Sequence, residues 1–193
     1  MDPWWAKAAI LLGTCVMVAI RAPHGQRSRT VPVAQSRKGR LEVALLTLVW
    51  ISFLLPLVWV ASPLLARADY PLHPAAYWAG VALLALGLWL FHRSHADLGR
   101  HWSITLELRE RHELVTHGVY RRIRHPMYSA LFLYCVGQAL ALPNWIAGPS
   151  YLLAFGLLFA LRVRAEERML LEAFGEQYAG YSARTKRLIP GVW

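Results

Sequence analysis

The chain has 193 residues, enough for one domain of ordinary size. Hydrophobic residues make up 56% and charged residues only 17%, with a mean hydropathy of +0.34, which excludes an ordinary charge-rich soluble domain. The net charge of +10 comes from 18 Arg and 3 Lys set between long apolar blocks, with no basic helix or stacking-sheet pattern, so a membrane accounts for it better than nucleic acid does.

Five apolar blocks follow one another. The first, 4–20, is interrupted only by Lys7 and is followed by a basic stretch rather than a small-residue cleavage site. It is therefore expected to be a retained helix, not a signal peptide. The second, 41–66, exceeds the roughly 20 residues that a span requires and is expected to tilt or kink at Pro56. The third covers 74–91. The fourth and fifth, 126–142 and 145–161, flank the turn signal Pro143-Asn144 and read as a tight helical hairpin. Trp145 and Tyr151 suit the interface at its ends.

Lys and Arg set the orientation. Six lie in 21–40, seven in 93–125 and six in 162–193, so 19 of the 21 fall on one side of a five-span arrangement. By the positive-inside rule that side is cytosolic, with the N-terminus outside and the C-terminus inside. The composition, rich in Arg over Lys and in Ala and Leu, is of the kind found in high-GC bacteria and points to a bacterial inner membrane. The expected fold is an all-α integral membrane protein of about five transmembrane helices with a cytosolic C-terminal segment. Residues 1–92 form an N-terminal part of three spans with a plain basic loop at 21–40. Residues 93–193 form a second part: a cytosolic segment, the hairpin 126–161 and a tail.

The tail begins as an amphipathic helix in which Met169, Leu170 and Phe174 share a face and Gly175 is the stop. Cys15 and Cys135 lie in apolar blocks and form no CxxC, which argues against a disulfide framework or zinc. His92 and His95, with His101 nearby, invite a metal reading, but no Cys or carboxylate completes a set, and none is expected.

Two polar clusters carry chemistry. The first runs from His117 to Tyr128 and meets the membrane at Pro126, which suits the first turn of the fourth helix. The exposed N–H groups and positive end of that helix would receive an anion, with Arg124 and His125 at the rim. The second is Arg162, Arg164, Glu166, Glu167 and Arg168, which the hairpin returns to the same membrane level. Ionisable groups at a membrane boundary are functional candidates. Snorkelling and interfacial ion pairing is the competing reading, and the residues alone leave both open.

The string GVYRRIRHPMY, then a hairpin, then RVRAEE, FGEQYAGY and a late LIP resembles the isoprenylcysteine carboxyl methyltransferase family and the related small phospholipid methyltransferases. The resemblance covers roughly residues 97 to 190; the first two spans resemble the family only in hydropathy. It implies a membrane methyltransferase that uses S-adenosylmethionine without a Rossmann fold, and the chain indeed has no GxGxxG. Carried over by position, Tyr120, His125, Pro126 and Tyr128 fall in the cofactor-binding motif, and Glu166 and Glu167 complete it. Arg124 and Arg162 match the substrate end of the site. The catalytic set so implied is Arg124, Arg162 and Glu167, and residues 93–193 become the catalytic half.

The physical chemistry is compatible. A carboxylate can pair with the amine of the methyl donor, and His125 with the helix start can hold its carboxylate. An acceptor carboxylate needs no general base and suits bidentate Arg124 or Arg162. An amine or thiol must lose a proton, and Glu167 or a histidine would take it. The expected partners are the lipid bilayer and a lipophilic or amphipathic methyl acceptor. A phospholipid or other small-molecule N- or S-methyltransferase is the alternative, and a non-catalytic membrane scaffold is the alternative of another class. Tyr178 and Tyr181 are expected to pack the tail, Gly118 and Tyr120 to shape the turn, and the Glu107–Glu113 run to form a solvated face. His95, Asp97 and Trp102 are placed at the cofactor or acceptor entrance.

Overall fold

Prolines and glycines set most of the helix boundaries. Pro74 and Pro126 start α3 (Pro74–Leu98) and α4 (Pro126–Ala141), where a missing N–H breaks no helical bond. α2 (Arg40–Ala61) stops at Ser62, which is held extended because Pro63 follows it. Gly99 ends α3 at φ 57°, and Gly175, at φ 49°, separates α5 (Ala147–Phe174) from α6 (Glu176–Arg184). The first helix is α1 (Pro3–Arg29). The computed structural model describes residues 2–29, 33–36, 39–99, 107–109 and 114–192.

Three helices, α1 over Pro3–Gln26, α2 and α3, are long and apolar enough to cross a membrane by length and composition. α4 has 16 residues, about 24 Å at 1.5 Å per residue, so it is shorter than a bilayer core of about 30 Å. Large apolar side chains such as Leu12, Leu64, Trp78, Trp89 and Leu153 are exposed on the outside of the bundle. In water such a surface would aggregate; against lipid it is the natural one. The chain is a multi-pass membrane protein.

Consecutive helices run up and down. At one end Lys7 Nζ donates to Val60 O (3.4 Å) and the Tyr77 hydroxyl to Trp5 O (3.2 Å), joining the start of α1 to the end of α2 and the start of α3. The α4–α5 turn lies at that end too, because Trp145 N donates to Ala68 O (2.9 Å) and Tyr70 N to Pro143 O (3.0 Å). Asn144 locks this corner. Its amide donates to Leu65 O and Asp69 Oδ1, and its Oδ1 accepts the N–H groups of Ile146 and Ala147 at the start of α5. Asp69 Oδ1 also accepts the Trp59 indole N–H at 2.6 Å.

α3 and α4 approach along a glycine seam. A Cβ at Gly80 would lie 2.7 Å from Gly137 O and Ala141 N, and one at Gly87 would lie 2.8 Å from Tyr134 N. Small residues are how helices in a bilayer gain close backbone packing. The buried core continues from this seam through Phe91, Tyr134, Tyr151 and Phe155.

Three local expectations change. The stretch 21–40 is not a plain loop: α1 runs to Arg29, and β1 (Val33–Ser36) pairs antiparallel with β2 (Glu107–Arg109). α3 runs past the apolar block to Leu98, since nothing before Gly99 breaks a helix. The fifth apolar block and the amphipathic helix are one element, α5, because 162–174 holds only good or fair helix formers and no Gly or Pro. The helical class stands with that small sheet added. His101, Trp102, Glu110, Arg111 and Glu113 lie outside the described residues.

Candidate functional site

The site forms at the other end of the bundle, where α4 begins and α5 leaves the apolar region. Gly118 opens it with φ 58°, and Asp97 fills the space a side chain would need: its Oδ2 accepts Val119 N–H at 2.9 Å. Asp97 thus holds the turn that delivers Tyr120. The Tyr120 hydroxyl is buried and lies 3.5 Å from Ser94 O, which ties the turn to α3.

The next residues lie against the tail. Ile123 bridges Lys186 in parallel, Arg124 N donates to Lys186 O (2.7 Å), and His125 N donates to Arg187 O (3.0 Å). Ser129 Oγ donates to Leu188 O at 2.6 Å. The Tyr181 hydroxyl donates to Tyr120 O at 2.7 Å, so the second tyrosine of FGEQYAGY is a tail fastener. These backbone partners satisfy the N–H groups just before α4, which no helix bond could reach.

Glu166 and Glu167 converge on this segment from α5. Glu167 Oε1 accepts from Arg124 Nε (3.0 Å) and lies 3.3 Å from His125 Nε2. Arg187 forks onto the same carboxylate, with Nη2 2.7 Å from Oε2 and Nε 3.1 Å from both oxygens. Glu166 Oε2 accepts the Tyr128 hydroxyl at 2.7 Å and lies 3.6 Å from Arg162 Nε, and its Oε1 is 3.6 Å from His125 Nδ1. Arg124 Nη1 donates to the carbonyls of Ser182 (3.1 Å) and Thr185. Arg162 is also paired across to α2, with Nη1 3.5 Å from Glu42 Oε1.

Burial opposes charge on His125, but the hydrogen bonds and charges of Glu166 and Glu167 outweigh it and raise its pKa above 6.5. Burial would likewise raise Glu166; the bond to His125, the His125 and Arg162 charges and the Tyr128 bond bring it down to about 2. Glu167 is lowered too: burial is outweighed by His125, Arg187 and Arg124. Both carboxylates are therefore firmly ionised, and their charges favour the protonated form of His125.

The structure brings Tyr120, Arg124, His125, Pro126, Tyr128, Arg162, Glu166 and Glu167 to one end of the bundle. It adds Glu42, Arg187, Ser129, Tyr181 and Tyr178, which the sequence did not single out as site residues. Arg187 stands next to the late LIP, and that adjacency was the available signal. Glu42 had a weaker one: a lone carboxylate at the start of an apolar block. His95 is buried against Phe91 and His24, with its Nδ1–H donated to Phe91 O (2.9 Å), so it packs α3 instead of lining a mouth. Among the described residues no group of three or more His, Cys, Asp or Glu is gathered as a metal site.

The family model for phospholipid methyltransferases matches residues 75–177. The chain belongs to that family. Among curated relatives, protein-S-isoprenylcysteine O-methyltransferase B of Arabidopsis thaliana is 34% identical over 115 residues, 58% of this chain and 58% of that protein. Protein-S-isoprenylcysteine O-methyltransferase of Tribolium castaneum is 42% identical over 81 residues, 42% of this chain and 29% of its own length. This chain thus spans less than two thirds of the length of these relatives. A solved structure of the eukaryotic intramembrane Ras methyltransferase ICMT (isoprenylcysteine carboxyl methyltransferase) superposes with a TM-score of 0.53 at 28% identity, covering 78% of this chain and 50% of that one. The matched family segment holds the cluster from Tyr120 to Glu167 but leaves out Glu42, Tyr181 and Arg187.

Proposed function

We propose that this chain is an integral membrane methyltransferase that uses S-adenosylmethionine and acts on a lipophilic or amphipathic acceptor, most like carboxyl O-methylation of an isoprenylcysteine. The carrying observation is the convergence of Arg124, His125 and Tyr128 with Glu166 and Glu167 at one end of the helical hairpin. The relatives' names and the ICMT superposition support the same reading.

The residues suit the cofactor. The Tyr178 hydroxyl is buried with no hydrogen-bond partner among the described residues, close enough to feel the charges of Glu167 and Arg124, and so offers an open polar contact. Glu166, the more exposed of the acidic pair, would hold the amine. His125 and the α4 N-terminus at Pro126 would hold the carboxylate. Tyr120 shapes the approach, and Tyr128, with Phe155 and Phe159 at ring distances of 5.9 and 5.1 Å, would wall the apolar side. When bound, the cofactor supplies a methyl group on a sulfonium centre. The chain's share is to position groups and exclude water, which is where an in-line transfer gains much of its rate.

We assign Arg124 and Arg162 to the acceptor end, with Glu167 fixing Arg124. A carboxylate acceptor fits the electrostatics because it needs no base: Glu166 and Glu167 are held weakly basic by their cationic neighbours, and the two carboxylates favour the protonated form of His125, which opposes its use as a base. One observation favours the second reading, N-methylation of a phospholipid amine. Both arginines are already engaged by carboxylates, so an acceptor carboxylate would have to share them. The topology proposed with this function has five spans, α4 and α5 being the last two. The N-terminus is outside, and residues 93–193 carry a cytosolic active site in a bacterial inner membrane.

The test is calorimetric binding of S-adenosylhomocysteine to lipid-supplemented protein, followed by transfer of labelled methyl to prenylcysteine, to a phospholipid amine and to a small thiol. Saturable binding that His125→Ala weakens at least about tenfold, a change of roughly 1.4 kcal/mol, supports the reading. A single base-labile ester product selects the carboxyl acceptor, and a series of successive methylations selects the amine. Absence of binding in folded protein would favour a non-catalytic scaffold.

A further inference from the structure

We infer that Glu42 is a positioning residue of this site, acting through Arg162, so that α2 is part of the catalytic apparatus and not only an anchor. This rests on the methyltransferase reading above. Glu42 lies in the first turn of α2, ahead of an almost wholly apolar helix, and is only 7% exposed. A carboxylate in that place needs a partner, because burial of an isolated charge is costly. The positive end of α2 and the Arg162 guanidinium supply one.

Arg162 is itself only 10% exposed and is bracketed: Glu42 Oε1 lies 3.5 Å from Nη1, and Glu166 Oε2 lies 3.6 Å from Nε. Glu166 Oε2 in turn accepts the Tyr128 hydroxyl. The order is thus Glu42, Arg162, Glu166, Tyr128, spanning α2, α5 and α4. A long arginine one turn from Glu166 on the same helix can swing away; a second carboxylate on its far side holds it across the Glu166 oxygen. Glu42 also takes a share of the guanidinium charge, and so sets how strongly Arg162 competes with a cation for Glu166. Packing of α2 on α5 does not itself require the pair. The two helices already meet elsewhere, through Phe53 against Tyr151 (ring centroids 5.5 Å) and Ser150 Oγ to Ser52 O (3.3 Å). Glu42 lies outside the matched segment 75–177, so no motif of that segment identifies it.

The experiment measures S-adenosylhomocysteine affinity and thermal midpoint for the full chain in lipid-supplemented detergent, with Glu42→Gln, Glu42→Asp, Arg162→Gln and the double variant Glu42→Gln/Arg162→Gln. The expected result is a roughly three- to tenfold loss of affinity in Glu42→Gln, a smaller loss in Glu42→Asp, and no further loss when Glu42→Gln is added to Arg162→Gln. An unchanged affinity in Glu42→Gln, or the same loss in both backgrounds, overturns the inference. If Glu42→Gln fails to fold, Glu42→Asp decides: an affinity equal to wild type overturns it, and a loss that vanishes beside Arg162→Gln supports it. Wild-type protein that binds no cofactor rejects the methyltransferase reading itself, and the positioning role falls with it.

Discussion

Glu167 shows why single residues in this cluster cannot be read by type. It is one carboxylate with three cationic neighbours, the adjacent pair Arg124 and His125 before α4 and Arg187 in the tail. Such pairing is favourable only while both partners are charged, which gives the cluster a pH window. The carboxylates are lowered in the folded protein, so their stabilisation is complete above their ordinary value of 4.5 and is lost as acid approaches their folded values, about 2 for Glu166. His125 is raised, so its contribution is complete below 6.5 and is lost as pH rises through its folded pKa. Thermal midpoints in detergent should therefore peak between 4.5 and 6.5 and decline on the alkaline side. His125→Gln should flatten that alkaline decline. A decline of the same size in the variant would show that His125 is not its source.

At the scale of elements, the α3–α4 seam is the contact that sets where Pro126 and the start of α4 stand. Gly87 has backbone on its open side: a Cβ would meet Tyr134 N at 2.8 Å and Ala130 O at 2.9 Å, and backbone cannot rotate away. Gly87→Val should lower stability by about 1–3 kcal/mol, as overpacking does, and lower cofactor affinity with it. Gly156→Val is the matched control on α5, where nothing lies within 4 Å of the added Cβ, and it should leave the thermal midpoint nearly unchanged. Equal effects of the two substitutions would mean that close approach of α3 and α4 is not what the glycines provide.

For the whole molecule, the up-and-down course of the helices puts the starts of α1 and α3 at one end and the polar cluster at the other. The proposed orientation follows from that course and the positive-inside rule. In a background without Cys15 and Cys135, Asp2→Cys should react with a membrane-impermeant maleimide on intact cells. Val192→Cys should react only after permeabilisation. Labelling of both from the same side would rule out an odd number of spans.

Much of this protein is local and was therefore legible without coordinates. Apolar block length gave the long spanning helices, Pro126 marked a helix start, Gly175 marked a stop, and the string from Tyr120 to Tyr128 with Glu166 and Glu167 located the polar cluster. Those signals depend on composition, periodicity and neighbours within a turn or two. Weak local preference is overridden in two places: α1 continues through Pro23 to Arg29, and Val33–Ser36 pairs with Glu107–Arg109. Which charges face each other was decided only by tertiary structure. Arg187 reaches Glu167 across 20 positions and Glu42 reaches Arg162 across more than a hundred, because the helices stack residues that the chain keeps far apart. An ion pair is a matter of a few ångströms, and sequence separation carries almost no information about that distance.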